Sequence, residues 1–178
     1  DFMIRAFLAG LVVAIIAPLI GQFLVASRYS LMSDTLAHVA LLGVSIGILL
    51  GVNQLWSAVL VTGVAALSID KLRSSRRLPT ESILALVLTG SLALATLVLS
   101  LAQGFNANLL NYLFGSIATV SPDDIRIIFI LGAGVVIIFA LFAKELFAST
   151  IDEELAIVSG QPVALLNALL VLLASITV

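Results

Sequence analysis

Leu31-Met32-Ser33-Asp34-Thr35-Leu36-Ala37-His38-Val39-Ala40-Leu41-Leu42-Gly43-Val44-Ser45-Ile46-Gly47-Ile48-Leu49-Leu50 is the stretch on which the reading of this chain turns. Its length matches the roughly 20 predominantly apolar residues that a helix needs to cross the hydrocarbon core of a bilayer. It nevertheless carries Asp34 and His38, the single histidine of the chain, inside its length. Each ionisable group costs about 2.5–3.5 kcal/mol at the centre of a membrane helix, and such groups are kept where they line a cavity or bind a ligand. The stretch is therefore expected to be both a membrane span and a functional element.

At about 100° per residue, Asp34 and His38 lie about 40° apart on one face, one turn above the other. Ser45 falls between them and is a candidate for lining the same pathway. Gly43 and Gly47 fall about 180° to 220° from Asp34, where small residues let another helix approach closely. A carboxylate with a neutral imidazole suits zinc, manganese or iron, and the absence of cysteine removes the thiolate that copper(I) prefers. Two ligands are too few for a closed tetrahedral site. A two-fold pair of chains would supply two Asp and two His, and closed two-fold symmetry is the commonest assembly. Two other readings compete for the same residues. Ser33 or Asp34 can cap the helix start, leaving His38 to bond to a neighbouring helix. A catalytic Asp/His pair is the other, but no second histidine exists for a His-Glu-x-x-His site, and neither cysteine nor an elbow serine accompanies the pair.

The rest of the chain is of the same kind. Of 178 residues, 62% are hydrophobic and 10% charged, against about 45–50% and about 25% in soluble domains. So much apolar surface cannot be hidden from water by a fold of this size. Further spans are predicted over 7–26, 55–69, from Pro79-Thr80-Glu81 to near Ala102, and from Ser121-Pro122-Asp123-Asp124 to about Phe142, with a sixth starting near Pro162. The segment 104–120 is amphipathic and too short to cross as a helix, which suits an interfacial or re-entrant element. The whole chain reads as one transmembrane domain. It ends inside an apolar run, Ser175-Ile176-Thr177-Val178, as expected of a fold incomplete at its C-terminus. A net charge of −2 leaves no basic stripe to neutralise phosphates, so nucleic acid is not an expected partner. The lipid bilayer is. Lys71, Arg73, Arg76 and Arg77 are four of the eight Lys and Arg, and such clusters mark cytoplasmic loops. Counting spans from that loop puts Arg28 and the 149–160 segment inside, and Asn53 and the 104–123 segment outside.

Thr150-Ile151-Asp152-Glu153 fits a capping box, with Thr150 as N-cap and Glu153 three residues on. Asp152, Glu153 and Glu154 complement the helix dipole, and Gly160 with Gln161-Pro162 is a stop. A short acidic helix over 151–159 is thus predicted on the inner side. It is either a solvated connection or a rigid element that docks in a partner's cleft.

Four segments, in order along the chain, resemble the zinc/manganese class of ABC importer permeases: Arg28 to His38; Glu81-Ser82-Ile83-Leu84-Ala85-Leu86-Val87; Asn111-Tyr112-Leu113-Phe114-Gly115-Ser116-Ile117 with Ser121-Pro122-Asp123-Asp124; and Asp152 to Gly160. The resemblance implies an all-α, polytopic helical bundle of the type II kind, similar to vitamin-B12 importers. It also implies a bacterial plasma (inner) membrane, and no resident cofactor. Two permeases, alike or different, would sit on two cytoplasmic ATP-binding subunits that use the ATP, fed from outside by a metal-binding protein. Asp34 and His38 match the metal-coordinating residues of the family's pathway. The segment with Asp152, Glu153, Glu154, Ala156 and Gly160 matches its coupling helix against the ATPase. Ser33 stands where a Gly is frequent, and Leu42 where many members have Pro; some zinc-type members share that Leu, which leans the cargo toward zinc. The chain has no Gly-x-x-x-x-Gly-Lys-Ser/Thr phosphate loop, as expected of a transport subunit that is not itself an enzyme. An ion-coupled secondary transporter or channel is the alternative, but it would carry intramembrane charges on several spans, and here only the second has them.

Overall fold

In the computed structural model, described residues are 2–27, 29, 31–75, 78–101 and 122–178, and every regular element among them is helical. They are α1 (Phe2–Ala26), α2 (Met32–Leu50), α3 (Gln54–Ser74), α4 (Thr80–Leu101), α5 (Pro122–Ile151), α6 (Glu153–Val158) and α7 (Val163–Thr177). Five of the described helices, α1 to α5, are long and apolar enough to cross a membrane. The amphipathic 104–120 segment lies outside the described residues, as do Arg28, Arg76 and Arg77.

Two sub-bundles share one core. In the first, α2 is packed between α3 and α4; in the second, α1 packs on α5; α7 joins them by lying against α1, α3 and α5. Ile20, Leu36, Ile69, Leu84, Val135, Leu146, Leu170 and Val171 fill the shared interior. The outer faces are apolar as well: Leu60, Val64, Leu86, Ile130 and Leu141 all stand out from the bundle. Water would not tolerate apolar patches on this scale, whereas lipid demands them, with every backbone group satisfied inside a helix.

Helix ends follow from local chemistry. Gly51 ends α2 at φ +67°; its N–H donates to the Ile48 carbonyl and that of Val52 to Gly47, the paired bonds that a left-handed glycine closes. Two residues later Asn53 caps α3, its side chain accepting from the Trp56 N–H at 3.2 Å. This tight connection makes α2 and α3 an antiparallel hairpin.

Two boundaries differ from the sequence expectation. α5 does not stop near Phe142; it runs through Lys144 and Glu145 to Ile151, 30 residues in all. Lys and Glu are good helix formers, so the end of the apolar run marks the end of the lipid and not of the helix. At 1.5 Å per residue α5 is about 45 Å long, more than the roughly 30 Å hydrocarbon core. Likewise α3 continues past Ile69 to Ser74, which puts Asp70, Lys71 and Arg73 on a helix.

Candidate metal site and docking helix

α2 begins without a side-chain cap: Leu31 occupies the N-cap position and no side chain bonds there. Neither Ser33 nor Asp34 therefore caps this helix, and the capping account of Asp34 is corrected. Thr35, fully buried, donates to the Leu31 carbonyl at 2.8 Å and reaches the Leu84 carbonyl of α4 at 3.4 Å. That side of the first turn is thereby held to α4, which leaves Asp34 on the open side with its side chain 64% exposed. One turn on, the Nδ1 of His38 lies 2.9 Å from the Asp34 carbonyl oxygen and 3.9 Å from its Oδ1. A carbonyl oxygen only accepts, so Nδ1 carries a proton, and in the neutral ring Nε2 is the nitrogen with the lone pair. An imidazole fixed in this way by its other nitrogen is what a metal-ligating histidine needs. Among the described residues no group of three or more His, Asp or Glu is placed so as to hold a metal ion. The pair offers a cation two donors.

Ser45 does not join the pair. It is fully buried and donates to the Leu41 carbonyl of its own helix at 2.6 Å. Its angle about α2 matches that of Asp34, but eleven residues further along, neighbouring helices cover that side. Gly43 and Gly47 face α3: a Cβ on Gly43 would stand 2.7 Å from the Ala58 Cα, and one on Gly47 3.1 Å from the Gln54 Cα. The Ser57 hydroxyl donates to the Gly43 carbonyl at 2.7 Å across the same contact.

The helix after α5 is shorter than expected and differently capped. Thr150 lies inside α5; the cap is Asp152, in extended conformation, whose Oδ1 accepts from the Leu155 N–H at 3.0 Å. Asp152 wins because it is the residue at which the chain leaves α5, and a carboxylate at an N-cap also meets the positive end of the helix dipole. α6 thus spans six residues, Glu153–Val158. It stops at Gly160, φ +78°, where the Gly160 and Gln161 N–H groups bond back to Ile157 and Ala156. Ala156 is buried and seats α6 on the bundle, while Glu154, Leu155 and Val158 point out, Val158 being 84% exposed. An apolar face on a capped helix at a bundle end suits a protein partner.

Sequence reasoning missed a polar cluster at that same end. Tyr29, in the α1–α2 link, is fully buried. Its hydroxyl donates to Asp70 Oδ1 at 3.1 Å and accepts from the Arg73 guanidinium, which also lies 4.3 Å from the ring centroid. Burial pushes the Tyr29 hydroxyl up to about 12. Asp70 and Arg73 sit three residues apart, hence on one face of α3, which was the available signal; their partner is 41 and 44 residues away in sequence.

These features define a multi-pass membrane protein with an Asp/His pair on its second span and a capped helix at one end. The chain belongs to the ABC 3 transport family, whose model matches residues 1–178. It is 30% identical to the high-affinity zinc uptake system membrane protein ZnuB of Haemophilus influenzae, over all of this chain and 68% of that protein. It is equally 30% identical to the manganese transport system membrane protein MntC of Halalkalibacterium halodurans, over 99% of this chain and 60% of that one. Its fold matches the structure of PsaBC from Streptococcus pneumoniae in complex with Fab with a TM-score of 0.85, at 28% identity, covering 99% of this chain and 64% of that one. The chain thus spans 60–68% of the proteins it matches here. The bundle has the fold of an ABC transporter's membrane subunit.

Proposed function

We propose that this chain forms the translocation pathway of an ATP-driven importer for a divalent transition metal in the bacterial plasma membrane. Asp34 and His38 are its metal ligands. The observation that carries this reading is the His38 ring, held by the Asp34 carbonyl beside an Asp34 carboxylate whose side chain is 64% exposed. A carboxylate this exposed on a membrane helix is costly unless something polar covers it. A second permease copy across a two-fold axis would bring another Asp and His to the same cation and complete a four-donor set. ATP hydrolysis belongs to separate cytoplasmic subunits, against which α6 docks through Glu154, Leu155 and Val158; an extracytoplasmic metal-binding protein delivers the cargo. Relatives named for zinc and for manganese are equally similar, and the donor pair suits both. Leu42 tips the reading to zinc.

The test is reconstitution of the full-length protein with its genomically neighbouring ATPase and binding protein in liposomes. ATP-dependent uptake of zinc, competed by manganese and iron(II), is expected. Failure of any ATPase to co-purify, with uptake indifferent to ATP, would overturn the reading.

A further inference from the structure

Tyr29 links two parts of the molecule that the backbone keeps apart. Its N–H donates to the Leu24 carbonyl at the end of α1, and its carbonyl accepts from the Met32 N–H at the start of α2. It therefore sets the angle at which α2 leaves the link, five residues before Asp34. The same residue is tied through its hydroxyl to Asp70 and Arg73 at the end of α3. Asp70 and Arg73 in turn form one wall of a cavity of about 810 Å³. Ile157 of α6 lines it too, with Pro162, Val163 and Asn167 at the start of α7. Packed interiors move between discrete arrangements and do not deform continuously. A half-open cleft between α6 and the Asp70/Arg73 wall gives α6 room to shift against that wall, and the wall is hydrogen-bonded to the residue that aims α2.

We propose that Tyr29, with Asp70 and Arg73, is a positioning joint that carries displacement of α6 to the Asp34/His38 turn of α2. Tyr29 touches no metal and no nucleotide; it acts through α2. A phenol is protonated at neutral pH, so the Tyr29 hydroxyl can donate to Asp70 while accepting from Arg73. The inference rests on the importer reading above, in which α6 meets the ATPase and Asp34 meets the metal.

The experiment measures zinc uptake and ATP hydrolysis in the same liposomes for the wild-type complex, Tyr29→Phe and Asp70→Asn. Tyr29→Phe keeps the buried ring and removes only the hydroxyl. Hydrolysis is expected to stay within about twofold of wild type while uptake per ATP falls about fivefold or more, the lower range of coupling between sites. Asp70→Asn is expected to behave alike, and Asp70→Glu to recover part of the ratio. An unchanged ratio in both variants would overturn the joint, as would uptake and hydrolysis falling in proportion with the amount of assembled complex. A wild-type complex with no ATP-driven uptake would instead overturn the importer reading beneath it.

Discussion

The Nδ1 of His38 lies 2.9 Å from the backbone carbonyl oxygen of Asp34, one helical turn before it. Asp34 thus serves twice: its carbonyl orients the imidazole, and its carboxylate remains open to a cation. The two contributions separate by mutation, because only the second depends on the side chain.

Asp34→Asn keeps the carbonyl and therefore the His38 orientation, and removes the charge. His38→Ala removes the ring. Both are expected to cut metal uptake by the reconstituted full-length protein at least about tenfold, the lower end of what even an outer-shell change costs at a metal site, with the complex still assembled on size-exclusion chromatography. Normal uptake by Asp34→Asn would reduce Asp34 to a backbone prop and end its assignment as a ligand.

The contact of α2 with α3 tolerates no side chain at Gly43, because the atom in the way is the Ala58 Cα and not a flexible tip. Gly43→Ala is expected to destabilise the detergent-solubilised protein by about 1–3 kcal/mol, as overpacking does, read as a lowered unfolding midpoint. Gly90→Ala, which adds a Cβ into open space, serves as the control. Equal midpoints for the two variants would contradict the close approach.

Much of this bundle was legible in the residues, and the illegible parts share a cause. Periodicity and length located the spans because lipid imposes an apolar run about 20 residues long. They misplaced the ends of α3 and α5 because Asp70, Lys144 and Glu145 are compatible with a helix that has already left the lipid. The angular arithmetic put Ser45 on the Asp34 side of α2, but it could not say which neighbour occupies that side at each height, and Ser45 is buried. Tyr29 bonds to Asp70 over 41 residues, and no local pattern encodes a pairing at that distance.

At the end of α6, Gly160 has φ +78°, a conformation that costs an L-residue roughly 1–2 kcal/mol. Gly160→Ala should loosen the stop, and Asp152→Ala should remove a cap that contributes about 1 kcal/mol. Each is expected to weaken co-purification of the ATPase, with the double variant worse than either. Gly160→Asn, which accepts this conformation more readily, should retain more binding than Gly160→Ala. A ranking with Asn no better than Ala would show that backbone conformation is not what matters there.

The Tyr29 hydroxyl sits near 12, raised from the ordinary 10 by burial. Below pH 10 it is protonated folded or unfolded, so its contribution to stability is complete. Between pH 10 and 12 the unfolded chain loses the proton while the folded one resists, and that contribution is lost as pH rises. Wild type is therefore expected to lose thermal stability more steeply than Tyr29→Phe across this window. Parallel curves would mean that Tyr29 ionises as easily in the fold as outside it.

Ala37 is exposed on α2 between Asp34 and His38, so it reports on what covers that face. The 178 residues contain no cysteine, which permits a single Ala37→Cys probe in a full-length protein freed of any others. If two copies meet along this face to share one cation, mild oxidation in membranes should give a disulfide-linked dimer. Bridged cysteines need Cα atoms no more than about 7 Å apart, so linkage would put the two α2 helices in direct contact. Zinc should change its yield, because a cation held by both Asp34/His38 pairs fixes their separation. Leu60→Cys, on the outward face of α3, should stay monomeric under the same oxidation. Linkage through position 60 and not position 37 would move the two-fold axis to another helix and leave the Asp34 carboxylate in need of a different cover.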